Sequence, residues 1–213
     1  METKMIKVYA KRDDNIQLRI YPGHFATPQS HITHYFDMAM IRSRQAEAQR
    51  VAAALAENYS ASIPVDTIVC MDGLDVVGAY LADELTRVGV LSMNQHQTMY
   101  ITAPEHSNGG QLIFRDNVQP MINGKNILIL NGSVTTGETL ARAVNAVLYY
   151  GGKIRGISAI FSAVTSVAGL PIHAVFTQKD VPNYSTYRPH ECPLCRDQVK
   201  LDAMVNGYGY SKL

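Results

Sequence analysis

Cysteine is scarce in this chain. Of three residues, Cys192 and Cys195 lie close together and Cys70 far away, so no disulfide framework is expected to hold the fold. No apolar run approaches the length needed to cross a bilayer. Residues 1–14 mix Lys and Asp without an apolar stretch, which does not fit a secretion signal, and the expected compartment is the cytoplasm. No basic run is present and the formal net charge is +1, so nothing draws the protein to nucleic acid or an acidic membrane surface. Repeats, low-complexity tracts and linkers are missing too. The 213 residues are therefore expected to build one domain.

What is present is a rhythm of short apolar runs followed by amphipathic stretches. Ala48, Val51, Ala52, Leu55 and Ala56 fall at helical spacing ahead of Pro64. Thr67 to Met71 reads as a buried strand broken by Gly73, after which Val77, Leu81, Leu85 and Val88 return to helical spacing. Thr98 to Thr102 is a further strand candidate. Asn126 to Leu130 is continuously apolar after its first residue, as in a parallel strand covered on both faces. Leu140, Ala143, Val144, Val147 and Leu148 then form one helical face, ended by Gly151 and Gly152. Strands follow at Ile154 to Phe161 and Ile172 to Thr177. This alternation predicts an α/β fold with a mostly parallel twisted sheet flanked by helices. Its functional edge should lie at the polar turns 71–76 and 131–137.

The turn between the most apolar strand and the best helix carries the strongest signal. Ser133, Thr135, Thr136 and Thr139 offer hydroxyls, and Gly137 lets successive N–H groups turn inward, as in a phosphate nest at a helix N-terminus. The alternative is that Thr135 or Thr136 simply caps the helix. Glu138 suits the helix dipole but would repel a phosphate, and Arg142, one turn on, would offset it.

Ile127 to Leu130 followed by Val134, Thr135, Thr136, Gly137, Glu138 and Thr139 resembles the phosphoribosyl-diphosphate signature of type I phosphoribosyltransferases: four aliphatics, two acids and a Val-Thr-Thr-Gly-x-Thr loop. Gly23 to Tyr35 resembles the N-terminal hood motif of their orotate phosphoribosyltransferases, one residue shorter, and Cys192 to Cys195 resembles a C-terminal motif of some relatives. The resemblance implies a hood and N-terminal segment over 1–45, an α/β core over 46–190 and a C-terminal tail over 191–213. It implies a pyrophosphate loop at Asp72, Gly73, Leu74 and Asp75, with Phe25 and His24 over the base and Phe25 stacking on it. It also implies magnesium, a phosphoribosyl diphosphate or nucleotide ligand, and a homodimer.

Several charged groups of the family pattern are replaced. Asn131 and Gly132 stand at the two acidic positions, so the carboxylates that would favour a positively charged ribose are missing. From Val88 through Phe114 there is no Lys or Arg, which leaves His96 and His106, with Arg115 as a substitute. Ile160 to Val164 contains no Arg for an orotate carboxylate. The expectation is binding of a 5′-phosphorylated ribose compound, with transfer to a pyrimidine-type base in doubt. The alternative is an inactive relative that senses a nucleotide or serves as a partner subunit.

His190, Cys192 and Cys195 have zinc-like spacing, but a structural site takes four ligands. No second Cys pair exists and His173 is distant, so the default is reduced, buried thiols without zinc. His24, His31 and His34 cluster around Phe25, Tyr35 and Phe36, either to pack a hood or to touch a ligand.

Overall fold

The structure, a computed structural model, describes residues 5–59, 62–87, 94, 98–107 and 110–213; Val88 and His96 lie outside them. The chain opens with strands β1 (Ile6–Tyr9), β2 (Gln17–Ala26) and β3 (His31–Asp37) and helices α1 (Ala39–Ser43) and α2 (Gln45–Ala56). The core begins with β4 (Thr67–Cys70), α3 (Asp75–Arg87) and β5 (Tyr100–Thr102), followed by a small hairpin, β6 (Glu105–His106) and β7 (Leu112–Ile113). It continues through β8 (Asn126–Val134), α4 (Glu138–Tyr149) and β9 (Lys153–Ser162). A second small hairpin, β10 (Ser166–Val167) and β11 (Leu170–Pro171), leads to β12 (His173–Thr177). The chain closes with β13 (Thr186–Tyr187), α5 (Pro193–Arg196), β14 (Ala203–Asn206) and β15 (Gly209–Lys212).

The core sheet has the order β12-β9-β8-β4-β5, and each neighbouring pair is parallel. The chain steps outward from β4 to β5, then crosses back to β8 on the other side of β4. In open parallel sheets a ligand crevice forms beyond the strand ends at such a reversal. That places it between Cys70 and Leu130, which are paired across β4 and β8. Side chains alternate across the sheet. Val69, Ile127 and Ile129 bury against Leu140, Ala143, Val144 and Val147 of α4. Ile68, Leu128 and Leu130 join the cluster that contains Val51 and Leu55 of α2 and Val77 and Leu81 of α3. Leu148, expected on the buried face of α4, is 54% exposed, because the core-facing stripe ends at Val147.

β8 runs four residues further than its apolar run suggests, since Asn131, Ser133 and Val134 continue the ladder with Ala159, Phe161 and Ser162.

A second sheet, β13-β3-β2-β14-β15 with β1 also on β2, forms the hood. Residues 203–212, expected within a tail, are a hairpin inside this sheet, with Ala203 and Met204 paired to Phe25 and Ala26. Phe36 of β3 stacks on Phe161 of β9 at 3.9 Å between ring centroids, which joins the two sheets. Among the described residues no helix is long and apolar enough to cross a membrane.

Candidate functional site

The turn after β8 is shaped by one glycine. Gly137 has φ +85°, and a Cβ there would lie 2.6 Å from Val167 Cγ2, so a side chain is excluded twice. Gly137 is also the N-cap of α4, and no side chain caps that helix. Neither Thr135 nor Thr136 is the cap, and the closest approach, Glu138 N–H to Thr136 Oγ1, is a long 3.5 Å. The helix N-terminus and the hydroxyls line a recess of about 30 Å³, bounded by Gln29, Asn131 and residues 133–140. Unpaired N–H groups at a helix start favour an anion, and a phosphate group suits such a recess.

The recess opens into a cleft of about 520 Å³, within the size range of small-molecule sites. Its walls come from the hood (Thr27, Gln29, Ile32, Tyr35, Phe36), from the strand ends (Asp72, Asn131, Ser133) and from the C-terminal hairpin (Val205 to Tyr208). Thr135, Thr139 and Arg142 close the end nearest the recess, and His106, Gly110 and Leu112 reach in from the β6–β7 hairpin. Burial, followed by the nearby Asp37, pushes the Tyr35 phenol up to about 12, so its hydroxyl stays protonated at the cleft wall.

At the strand reversal, Asn131 is 3% exposed. Its Nδ2 donates to Ser133 O at 3.0 Å, while its Oδ1 is buried without a hydrogen-bond partner. A buried acceptor left open costs about 1–3 kcal/mol, which a ligand hydroxyl would relieve. Gly132 has no side chain, but Asp72 reaches over from the end of β4. Asp72 Oδ2 accepts a hydrogen bond from Gly132 N–H at 3.3 Å. Burial raises the Asp72 carboxyl above the usual range, with the Gly132 N–H opposing. A Cβ on Gly207 would come within 2.0 Å of Asp72 Oδ1, so the hairpin tip lies directly on this carboxylate. Arg42 fixes that contact: Nη1 donates to Asp72 O and Gly207 O at 3.1 and 2.9 Å, and Nη2 to Tyr208 O at 3.0 Å.

The remaining expected site residues divide. Ser133, Thr135, Thr139 and Asp72 line the cleft, and Val134, Thr136, Gly137 and Glu138 line the recess. Gly73 and Leu74 sit beneath the hairpin and Asp75 starts α3; none of these three lines the cleft. Phe25, expected to stack on a base, is fully buried in the hood against Tyr35, and His24 is 1% exposed and turned away. The cause is a register shift in β2 between Pro22 and Phe25, which breaks the alternation and buries both side chains. Tyr35 and Phe36 of β3 line the cleft instead. Arg115, expected as a substitute cation, is held by Glu105 at 2.7 and 2.9 Å. Arg142 is the arginine at the cleft wall, and it has no ion-pair partner among the described residues.

Sequence spacing missed a second constellation. His24 and His31 lie beside Cys192 and Cys195, with one side-chain N or S atom of each within 4.8 Å of all the others. His190, expected next to the thiols, is 73% exposed at its side chain and meets Glu191 at 3.4 Å. His173 packs on Tyr59. The pairing of residues more than 160 positions apart leaves no local trace in the chain.

No protein-family model matches this sequence. Among curated proteins, it is 26% identical over 178 residues to the orotate phosphoribosyltransferase of Desulforamulus reducens, covering 81% of this chain and 83% of that one. It is 36% identical over 104 residues to an orotate phosphoribosyltransferase of Thermus thermophilus; that match spans 47% of this chain and 52% of the relative. The structure is similar to that of Leishmania donovani UMP synthase, with a TM-score of 0.54 and 16% identity, over 76% of this chain and 34% of that one. It is also similar to adenine phosphoribosyltransferase from Thermoanaerobacter pseudethanolicus, with a TM-score of 0.50 and 14% identity, over 83% and 96% of the two chains. At these identities the structural likeness is one of fold.

Proposed function

We propose, on the premise that this chain belongs to the type I phosphoribosyltransferase family on the side of its orotate phosphoribosyltransferases, that the cleft binds a 5′-phosphorylated ribose ligand. The observation that carries this is the polar recess at residues 133–140, shaped by left-handed Gly137 and opening into the 520 Å³ cleft. In this reading the 5′-phosphate enters the recess and Arg142 supplies the positive charge. The open Oδ1 of Asn131 accepts from a ribose hydroxyl. The base lies under Ile32, Tyr35 and Phe36 of the hood. The Asp72 carboxylate suits a magnesium ion brought in with the ligand, which would offset its repulsion of phosphate.

Transfer chemistry is a separate matter, and two observations favour a binding protein without it. The hairpin tip at Gly207 and Tyr208 rests on Asp72 and Gly73, where the family resemblance puts pyrophosphate. Described residues 98–107 and 110–114 offer no Lys or Arg to a departing diphosphate. The second reading is therefore a nucleoside-monophosphate sensor.

Calorimetric titration with phosphoribosyl diphosphate, orotidine monophosphate and other nucleoside monophosphates, with and without magnesium, tests both. Binding that weakens on Thr136→Ala and on Gly137→Ala supports the phosphate site, and silence across the panel removes it. Pyrophosphate release from the diphosphate and orotate above the blank would overturn the sensor reading.

A further inference from the structure

We propose that His24, His31, Cys192 and Cys195 form a structural zinc site of the Cys2His2 type, at the junction of β2, β3 and the turn that opens α5. The two sulfurs and two nitrogens all lie within 4.8 Å of one another, close to the spacing around one tetrahedral ion. His24 Nε2 lies 3.2 Å from His31 Nδ1, and Cys195 Sγ lies 3.2 Å from His31 Nδ1. Cys192 Sγ and Cys195 Sγ lie 3.4 and 3.7 Å from His24 Nε2. Zn–N bonds of about 2.0–2.1 Å and Zn–S bonds of about 2.3 Å at tetrahedral angles require ligand separations of roughly 3.3–3.8 Å. Both cysteines are free thiols.

The surroundings fit a ligand role. His24 Nδ1 is 2.8 Å from Val199 O, and since a carbonyl only accepts, Nδ1 carries the proton and Nε2 presents its lone pair to the cluster. The backbone of His24 is tied at both ends to Asp202: His24 N–H donates to Asp202 Oδ2, and Asp202 N–H to His24 O, each at 2.8 Å. Two thiols of Cys-x-x-Cys spacing with two imidazoles are a soft, closed donor set, which selects zinc over magnesium or calcium. A closed set with four protein ligands leaves no position for substrate, so the role is structural. The ion would clamp the hood strands to residues 192–202, which feed into β14 and β15 and so hold the hairpin whose tip walls the cleft.

The test uses the untagged full-length protein, expressed with zinc available and purified under reducing conditions without chelator. Elemental analysis should find about one zinc per chain. Cys195→Ser and His31→Ala should each lose most of it, whereas His190→Ala should keep it. Because those variants could misfold, two measurements stay with the wild-type chain. Cobalt added after zinc removal should give the intense visible bands of a tetrahedral thiolate site, and zinc should protect Cys192 and Cys195 from alkylation. Substoichiometric zinc in folded wild-type protein, octahedral-type cobalt spectra, or a Cys192–Cys195 disulfide in the freshly purified chain would overturn the proposal.

Discussion

The carboxylate of Asp72 fills the space that a side chain on Gly132 would take: a Cβ built on Gly132 would lie 3.1 Å from Asp72 Oδ2 and 3.7 Å from its Cγ. One strand end has given up its side chain, and the neighbouring strand end supplies a carboxylate to the same place. The two positions should therefore behave as one unit.

Restoring an acid at Gly132 alone is expected to harm the protein. Gly132→Asp crowds two carboxylates together and should cost about 2 kcal/mol or more, lowering Tm by roughly 4–8 °C in a chain of this size. Adding Asp72→Gly should recover most of that loss, because residue 72 has φ +57° and glycine accepts this backbone freely. Thermal melts of the two single variants and the double variant form the check. Simple additivity would mean that the two sites are independent.

The raised Asp72 carboxyl gives a pH signature. The folded state holds this proton more tightly than the unfolded state, whose value is near 3.8. The group's contribution to stability is therefore full below the unfolded value and lost as pH rises through the folded one. Asp72→Asn keeps an acceptor for Gly132 N–H without the charge and tolerates the same backbone. It should melt higher than wild type at pH 7, with the gap closing toward pH 4. A gap independent of pH would argue against a buried carboxylate here.

At the turn before α4, stability and binding should separate. Gly137→Ala meets both the positive φ and Val167, and should cost about 1–3 kcal/mol along with ligand affinity. Thr136→Ala removes a hydroxyl that does not cap the helix. It should leave Tm within about 2 °C while weakening nucleotide binding about tenfold, equivalent to one lost hydrogen bond of about 1.4 kcal/mol. Melts paired with calorimetry distinguish the two.

Arg42 should control the hairpin. Its guanidinium holds three carbonyls, at Asp72, Gly207 and Tyr208, and lies 5.5 Å from the Tyr208 ring centroid. Lysine lacks the planar fork, so Arg42→Lys should rescue only part of the Arg42→Ala defect. Hydrogen exchange is the readout: the amides of 203–212 should exchange at least tenfold faster in Arg42→Ala, with those of β8 unchanged.

The sequence determined what local periodicity can encode. The strand through 126–130, the helix at 138–149 and the glycine ahead of that helix were written in consecutive residues, because burial on both faces, a 3.6-residue stripe and a left-handed turn each leave a short-range pattern; the strand's extension to Val134 was not. The buried face of α2 was legible residue by residue for the same reason. Tertiary structure alone decided the rest. The register shift in β2 turned Phe25 inward, the parallel pairing of β14 with β2 brought residues 192–208 to the hood, and the crossover from β5 to β8 set Asp72 beside Gly132. None of these has a local signature. Each depends on which strands become neighbours and in which register, and that is settled only when the two sheets pack.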